Sequence, residues 1–209
     1  MGRMFSVCSS LSYLDLSNFN TSTVETMENM FSECSSLNYL NLSNFNNNHV
    51  IKMKSMFSKC ANLISLELSN FKTHSVTTME NMFNECSSLV SLNLSNFNTS
   101  LVITMNNMFS LCSSLTSLDL SNFDSSYVIN MNSMFNKCTN LKFRDLSNFN
   151  ALQVNYMNNI FSSCKNLENI NLKNSVVNPS LISSSIDSTI SSKLSICGEN
   201  ENWLRIFAL

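Results

Sequence analysis

A strict 26-residue period runs through this chain and constrains its fold more than any other feature. Leucine and phenylalanine columns keep this phase from Leu11 to Leu167 and from Phe19 to Phe149. A fixed period of roughly 20–50 residues is the signature of stacked repeats rather than of one globular core. We therefore expect residues 1–175 to form a solenoid of about seven units, the first of them incomplete. Cysteine marks the same position of each unit, at Cys8, Cys34, Cys60, Cys86, Cys112, Cys138 and Cys164.

Each unit, which we call a coil, contains two patterns of apolar residues. Leu40 and Leu42 alternate with outward positions, which predicts a short strand with one buried face. Between residues 24 and 34 the apolar spacing is three to four, which predicts a short helix. Stacked coils would pair their strands in parallel, ~4.8 Å apart. A helix layer is thicker than a strand layer, so we expect a curved α/β solenoid with strands on the concave face and helices on the convex face.

The strand pattern L-x-x-L-x-L is the leucine-rich-repeat signature. The segment from Met82 to Ser100 is more specific, and it resembles the BspA-like leucine-rich-repeat surface proteins and the related repeat first described as a domain of unknown function in mycoplasma proteins. The resemblance covers roughly residues 4–175. It implies a non-catalytic protein-interaction module, at the cell surface or secreted, with a role in adhesion. An intracellular leucine-rich-repeat scaffold fragment is the alternative.

Charge and motif content exclude several classes of function. Charged residues make up only 12% of the chain, the net charge is −2 and no basic run occurs, which argues against a nucleic-acid partner. No apolar stretch reaches the ~18 residues of a transmembrane helix, and the first residues lack the apolar core of a signal peptide. The chain has two glycines, no phosphate loop, and no G-x-S-x-G or H-E-x-x-H motif. We therefore expect neither an enzyme nor a cofactor.

The cysteine column raises the question of metal or disulfide chemistry. Zinc sites need paired ligands such as C-x-x-C, and none occurs here. Stacked coils would bring successive cysteines close to disulfide distance, yet a column of seven leaves one thiol over. We interpret the column as buried free thiols, with disulfides between coils as the alternative. His49 and His74 lack a third ligand and are interpreted as turn residues.

The outward strand positions are the candidate binding surface. Seven strands would give a concave face about 29 Å long, rich in carboxylates and amides, with aromatic residues at both ends. Such a face suits a protein or glycan ligand, although Asn and Asp also keep a sheet soluble without any ligand. The binding residues we predict are Tyr13, Asp15, Tyr39, Asn41, Glu67, Asn93, Asp119, Phe143 and Asp145.

Two charged columns are expected on the helix side of the coils. Glu28, Lys54 and Glu80 align at the 26-residue period, and Glu33, Lys59 and Glu85 align in the same way. Opposite charges would therefore face each other between coils, where exposed pairs are worth ~0–1 kcal/mol each and help to set the register.

Three departures from the repeat need an explanation. Arg144 stands in an inward leucine column, so we expect either a carboxylate partner or a local distortion in which Phe143 and Arg144 exchange roles. The chain starts within a coil, which suggests a fragment that self-associates through its uncapped ends. Residues 176–209 are expected to be an irregular C-terminal cap or a linker. The cap would be a helix with Ile182, Ile186, Ile190 and Leu194 on one side.

Overall fold

The computed structural model describes residues 1–147, 149–178 and 195–197, and these form coils stacked in parallel. The strands are short, with two or three residues each. Their bounds are β1 Tyr39–Asn41, β2 Ser65–Glu67, β3 Phe143–Asp145, β4 Asn150–Ala151, β5 Asn169–Asn171, β6 Val176–Val177 and β7 Ser195–Cys197. β1 pairs with β2, β5 pairs with both β3 and β7, and β4 pairs with β6, always in parallel.

Pairing follows the 26-residue period. Leu40 on β1 lies opposite Leu66 on β2, so identical positions of successive coils are neighbours, as the sequence predicts. The same offset joins β5 to β7, where Ile170 lies opposite Ile196. Residues 91–93 and 117–119, in the fourth and fifth coils, follow without regular strand structure. The expected sheet of seven continuous strands is therefore replaced by shorter ladders.

The prediction of short helices was wrong, since the described residues contain none. Residues 27–37 instead make consecutive turns, in which the N–H of Met30 donates to the carbonyl of Met27 and that of Cys34 to Phe31. Asn29 and Glu33 have φ angles of 53° and 64°, in the left-handed region that an α-helix excludes. Apolar side chains at turn corners recur every three or four residues, so their spacing imitates one face of a helix.

Hydrogen bonds between coils replace the helix. The N–H groups of Asn29, Phe31 and Glu33 donate to the carbonyls of residues 54, 56 and 58 in the next coil, at 2.8–2.9 Å. A helix would use these N–H groups within its own backbone. Here they join neighbouring coils, so this side is also a parallel ladder. It is continued by single bridges that link Thr26, Lys52, Thr78, Thr104, Asn130 and Tyr156 in succession.

The core consists of side-chain columns that run along the stack. One is a column of phenylalanine rings whose centroids lie 5.3–5.7 Å apart, with planes within 6° of parallel. Methionine, leucine and cysteine columns surround it and are almost completely buried from the second coil onward. The stacked rings are Phe5, Phe31, Phe57, Phe83, Phe109, Phe135 and Phe161.

Polar side chains supply the turn chemistry that glycine and proline supply in other folds. The amide of Asn44 donates to the carbonyls of Leu16 and Ser17 in the preceding coil, at 2.9 and 2.8 Å. The buried hydroxyl of Thr73 donates to the carbonyl of Asn98 in the next coil, at 2.7 Å. Such bonds satisfy turn carbonyls that would otherwise be buried without a partner. This explains why an Asn- and Ser-rich chain with two glycines can turn so often.

Two of the three departures from the repeat, Arg144 and the C-terminal residues, are described only in part by the structure. Arg144 pairs in register with Ile170, so the backbone of β3 shows no bulge and the expected distortion is absent there. The side chains of Phe143 and Arg144 lie outside the described residues, and so does the predicted helix that includes Ile182 and Ile186. The boundary at residue 175 stays a prediction. The 26-residue offset continues beyond it, because β6 pairs with β4 and β7 pairs with β5 at that offset.

Candidate functional site

The outward columns of the strands form one surface, which we call the strand face. Tyr13 and Tyr39 are 73% and 49% exposed, and they occupy the same position in the first two coils. The polar column beside them alternates carboxylates and amides. Asp15, Asn41, Asn93 and Asp119 are exposed in it, and Glu67 and Asp145 are half-buried.

Every polar residue of this column also stabilises the turn that follows it. The side-chain oxygen accepts the backbone N–H two residues further on, which is an Asx-type turn. Asp15 accepts from Ser17 at 2.9 Å, and Asn41 accepts from Ser43 at 2.9 Å. Glu67, Asn93, Asp119 and Asp145 accept from Ser69, Ser95, Ser121 and Ser147 at 2.8–3.0 Å. This column is therefore a structural element as well as the candidate surface.

These hydrogen bonds set the charge of the strand face. The backbone N–H of Ser121 and the Ser121 side chain lower the pKa of the Asp119 carboxyl, and Ser17 does the same for Asp15. The hydrogen bonds from Ser147 lower the pKa of Asp145. These three aspartates are thus held in the ionised state, and neither outward column contains a Lys or Arg. The face presents negative charge to a ligand.

The structure brings four of the nine predicted residues into one pocket. Tyr13, Asp15, Tyr39 and Asn41 line a groove of about 280 Å³ at the first two coils. The two rings offer apolar faces, and the carboxylate and amide in the adjacent column offer hydrogen-bonding groups. Ser17, Ser43 and Asn44 complete the polar side of the groove. The other five predicted residues, Glu67, Asn93, Asp119, Phe143 and Asp145, do not line it.

The six cysteines from Cys34 to Cys164 form a buried column with a defined partner. Cys60 donates its thiol to the carbonyl of Phe31 at 3.1 Å, and the same contact recurs from Cys34 to Cys164 at 3.0–3.1 Å. Burial, together with the neighbouring Cys34 thiol, raises the pKa of Cys60 to about 12. A thiol with so high a pKa is a poor nucleophile and metal ligand at neutral pH. Cys8, by contrast, is exposed.

No metal centre emerges from the described residues, which contain no group of three or more His, Cys, Asp or Glu side chains able to hold an ion. His49 acts as a turn residue, with its Nδ1 atom 2.9 Å from the carbonyl oxygen of Ser22 in the preceding coil.

The predicted charge columns form ion pairs between coils. Lys54 lies 3.0 Å from Glu80, and Lys59 lies 3.3 Å from Glu33. Both lysine side chains are substantially exposed, so each pair contributes little to stability and mainly supports the register.

A second surface is larger than the sequence suggested. From the sequence, Ile51, Ile103, Ile129 and Leu101 are expected to form a modest apolar strip, and all four are exposed. Of these, Leu101, Ile103 and Ile129 lie in the fourth to sixth coils. Tyr127, Leu152 and Tyr156 extend it and were missed, because their columns hold mostly polar residues in the other coils. The absence of charge in these segments was the available signal.

Together these observations define a parallel repeat solenoid whose strands carry the leucine-rich-repeat signature. A family model described as "Mycoplasma protein of unknown function, DUF285" matches residues 1–115 and 86–191. The chain belongs to this family, which confirms the resemblance seen in the sequence.

Among solved structures, the chain is similar to a leucine-rich repeat protein from Bacteroides ovatus ATCC 8483, at 16% identity and a TM-score of 0.41. The match covers 95% of this chain and 59% of that one, so the chain spans less than two thirds of its length. No curated protein matches the chain. In the part of the chain that the structure describes, no helix is long and apolar enough to cross a membrane.

Proposed function

We propose that this chain is a non-catalytic protein-interaction module whose strand face binds an extended polypeptide with basic side chains. The observation that carries the proposal is the groove that Tyr13 and Tyr39 line together with Asp15 and Asn41. Exposed aromatic rings supply apolar contact at low entropic cost, and they also attract cations through their faces.

The charge of the face supports a basic ligand. Asp15, Glu67, Asp119 and Asp145 lie in one outward column, and the hydrogen bonds at Asp15, Asp119 and Asp145 hold the pKa of these carboxyls low. An extended peptide along the face would place a Lys or Arg near successive acidic positions. A glycan would use the same rings and amides, but it would draw no benefit from the carboxylate charge.

The test is selection of binders from a random peptide display library, with the full chain as bait. We expect enrichment of Lys- and Arg-containing peptides whose affinity falls as salt rises. Tyr39→Ser should weaken the binding of the selected peptides at least about tenfold, which is about 1.4 kcal/mol of binding free energy. Tyr127→Ser removes an exposed tyrosine from another surface and should leave the affinity of a single groove for the peptide unchanged.

Two results would overturn the proposed ligand. Selected peptides that bind Tyr39→Ser and the wild type equally would remove the groove from the site. Salt-independent binding on a glycan array, with no peptide enrichment, would assign the face to carbohydrate.

We further propose a cell-surface or secreted location with a role in adhesion, which the family resemblance supports. Antibody labelling of intact source cells should then detect the protein without permeabilisation. Labelling that requires permeabilised cells would favour the alternative, an intracellular scaffold.

A further inference from the structure

An uncharged apolar patch occupies the bends of the fourth to sixth coils, away from the strand face. Its members are unusually exposed for large apolar side chains, at 40–66%. We call it the bend patch, and it consists of Leu101, Ile103, Tyr127, Ile129, Leu152 and Tyr156.

The residues of the bend patch form one continuous surface. The N–H of Ile129 donates to the carbonyl of Ile103 at 2.8 Å, and that of Tyr156 donates to Ile129 at 3.2 Å. Tyr127, Ile129 and Leu152 line a single depression of about 550 Å³. The patch therefore combines protruding side chains with a cavity that can receive one.

The exposed area is large enough to matter for association. From the exposed fractions, the six side chains present on the order of 600 Å² per copy, at the upper limit for a monomeric surface. A standard interface buries about 800 Å² on each partner. The six side chains supply about three quarters of that area, so a contact of this size needs only a modest rim of polar residues around them.

Charge selects the kind of partner. Residues 99–107, 125–133 and 151–159 contain no Asp, Glu, Lys, Arg or His. The equivalent bends of the first three coils do, for example at Glu28, Lys54 and Glu80. A two-fold contact sets each surface against its own copy, so a surface of one sign would repel itself while an uncharged one does not.

We propose that this chain forms a dimer with a second copy of itself through the bend patch. A strongly charged partner would find no complementary charge there. An anionic lipid surface would need Lys or Arg beside the apolar residues, and these bends have none. The strand faces stay open in such a dimer, so each assembly carries two binding grooves.

The test is sedimentation velocity of the full chain from about 1 to 200 μM, a range that brackets a weak homodimer. We expect the mass to rise from 23.5 kDa towards twice that value. Ile129→Asp should weaken dimerisation at least about tenfold, because it buries an unpaired carboxylate. Ile51→Asp is the matched control. It makes the same change in the same column at an equally exposed site, but in the second coil, outside the bend patch, and it should leave the dimer intact.

Two further variants keep the test decisive. Tyr127→Ser replaces a side chain that is 66% exposed, so it weakens the dimer without disturbing the core, even where Ile129→Asp fails to fold. Val7→Asp alters the first coil and reports on association through the uncapped end. A wild type that stays monomeric throughout, or a dimer lost in Val7→Asp but kept in Tyr127→Ser, overturns the proposal.

Discussion

The thiol of Cys86 donates a hydrogen bond to the backbone carbonyl of Phe57, with sulfur and oxygen 3.1 Å apart. The same carbonyl accepts the N–H of Cys60 within its own coil, at 3.2 Å. From Phe5 to Phe135, each phenylalanine carbonyl of this column therefore receives one N–H bond from its own coil and one thiol bond from the next. The cysteine column joins coils without any covalent link.

The thiols should make the solenoid sensitive to alkaline pH. Burial raises the pKa of Cys34 to about 11 and that of Cys60 to about 12, from the ordinary thiol value of 9.0. A raised pKa means that the folded state binds protons that the unfolded state releases, so stability is intact below pH 9 and falls as pH rises towards 11–12.

Urea midpoints at pH 7 and pH 10 measure this effect. Cys60→Ser keeps a hydrogen-bond donor that does not titrate and should reduce the alkaline loss. An equal loss in wild type and Cys60→Ser would show that other groups cause it.

Thiol accessibility should divide the cysteines into two classes. Cys8 and Cys197 are exposed, while Cys34 to Cys164 are buried. A thiol reagent at pH 8 should therefore modify two sites in the native protein and all eight in urea. Mass spectrometry after alkylation identifies the sites. Fewer than eight modified sites in urea without reductant would reveal disulfides.

Acid should weaken the turns that follow the strand face. Ser147 lowers the pKa of Asp145, so the folded state favours the ionised carboxyl. Its contribution is present above the unfolded pKa near 3.8 and is lost as pH falls through the lower folded value.

Substitutions at Asp145 separate the turn from the charge. Asp145→Asn, the residue type found at Asn41 and Asn93, should keep the turn and remove its part of the acid sensitivity. Asp145→Ala should cost about 1 kcal/mol at pH 7. Urea unfolding at pH 7 and pH 3 gives both numbers, and equal stability of the Ala and Asn variants at pH 7 would contradict the role of the side-chain oxygen.

Glycine should stabilise the left-handed turn positions. Ser133 has a φ of 55°, a conformation that costs a residue with a Cβ atom about 1 kcal/mol. Ser133→Gly should therefore raise the unfolding free energy by up to about 1 kcal/mol, despite the usual entropic cost of glycine.

Ser36→Gly provides the matched control. Ser36 is also half-buried, and its φ is not left-handed, so the change should cost about 0.5–1 kcal/mol. Thermal unfolding of both variants compares them directly. Destabilisation of Ser133→Gly by as much as Ser36→Gly would mean that the left-handed angle carries no strain.

The repeat could be predicted from the sequence because its columns are fixed by burial, and the pairing of Leu40 with Leu66 follows directly from the period. The helices could not be distinguished from stacked turns, because Met27, Met30 and Cys34 face the core in either structure. The two structures differ in the φ angles of Asn29 and Glu33, which are left-handed in the turns. A glycine at these positions would have indicated a left-handed turn, whereas the polar residues found there do not.

The sequence could indicate which residues face outward on the strands, but not that some of them line a groove. Alternation identifies Tyr13 and Tyr39 as outward residues, yet the groove that they line depends on the side-chain packing of two coils. Likewise, the Asx-type turn at Asp15 was hidden in a column that also suits ligand binding. Tyr127, Leu152 and Tyr156 of the bend patch escaped because their columns are mostly polar in the other coils.

The ladder of N–H groups that Asn29, Phe31 and Glu33 donate to the next coil has an evolutionary consequence. Each coil presents to the next coil the same N–H donors that the preceding coil presents to it. Duplication or loss of a whole coil in the gene would therefore rejoin matching partners at the seam, without redesign of any interior. Members of such a lineage can change the reach of their binding surface by recombination alone, whereas a globular domain would have to evolve a new core.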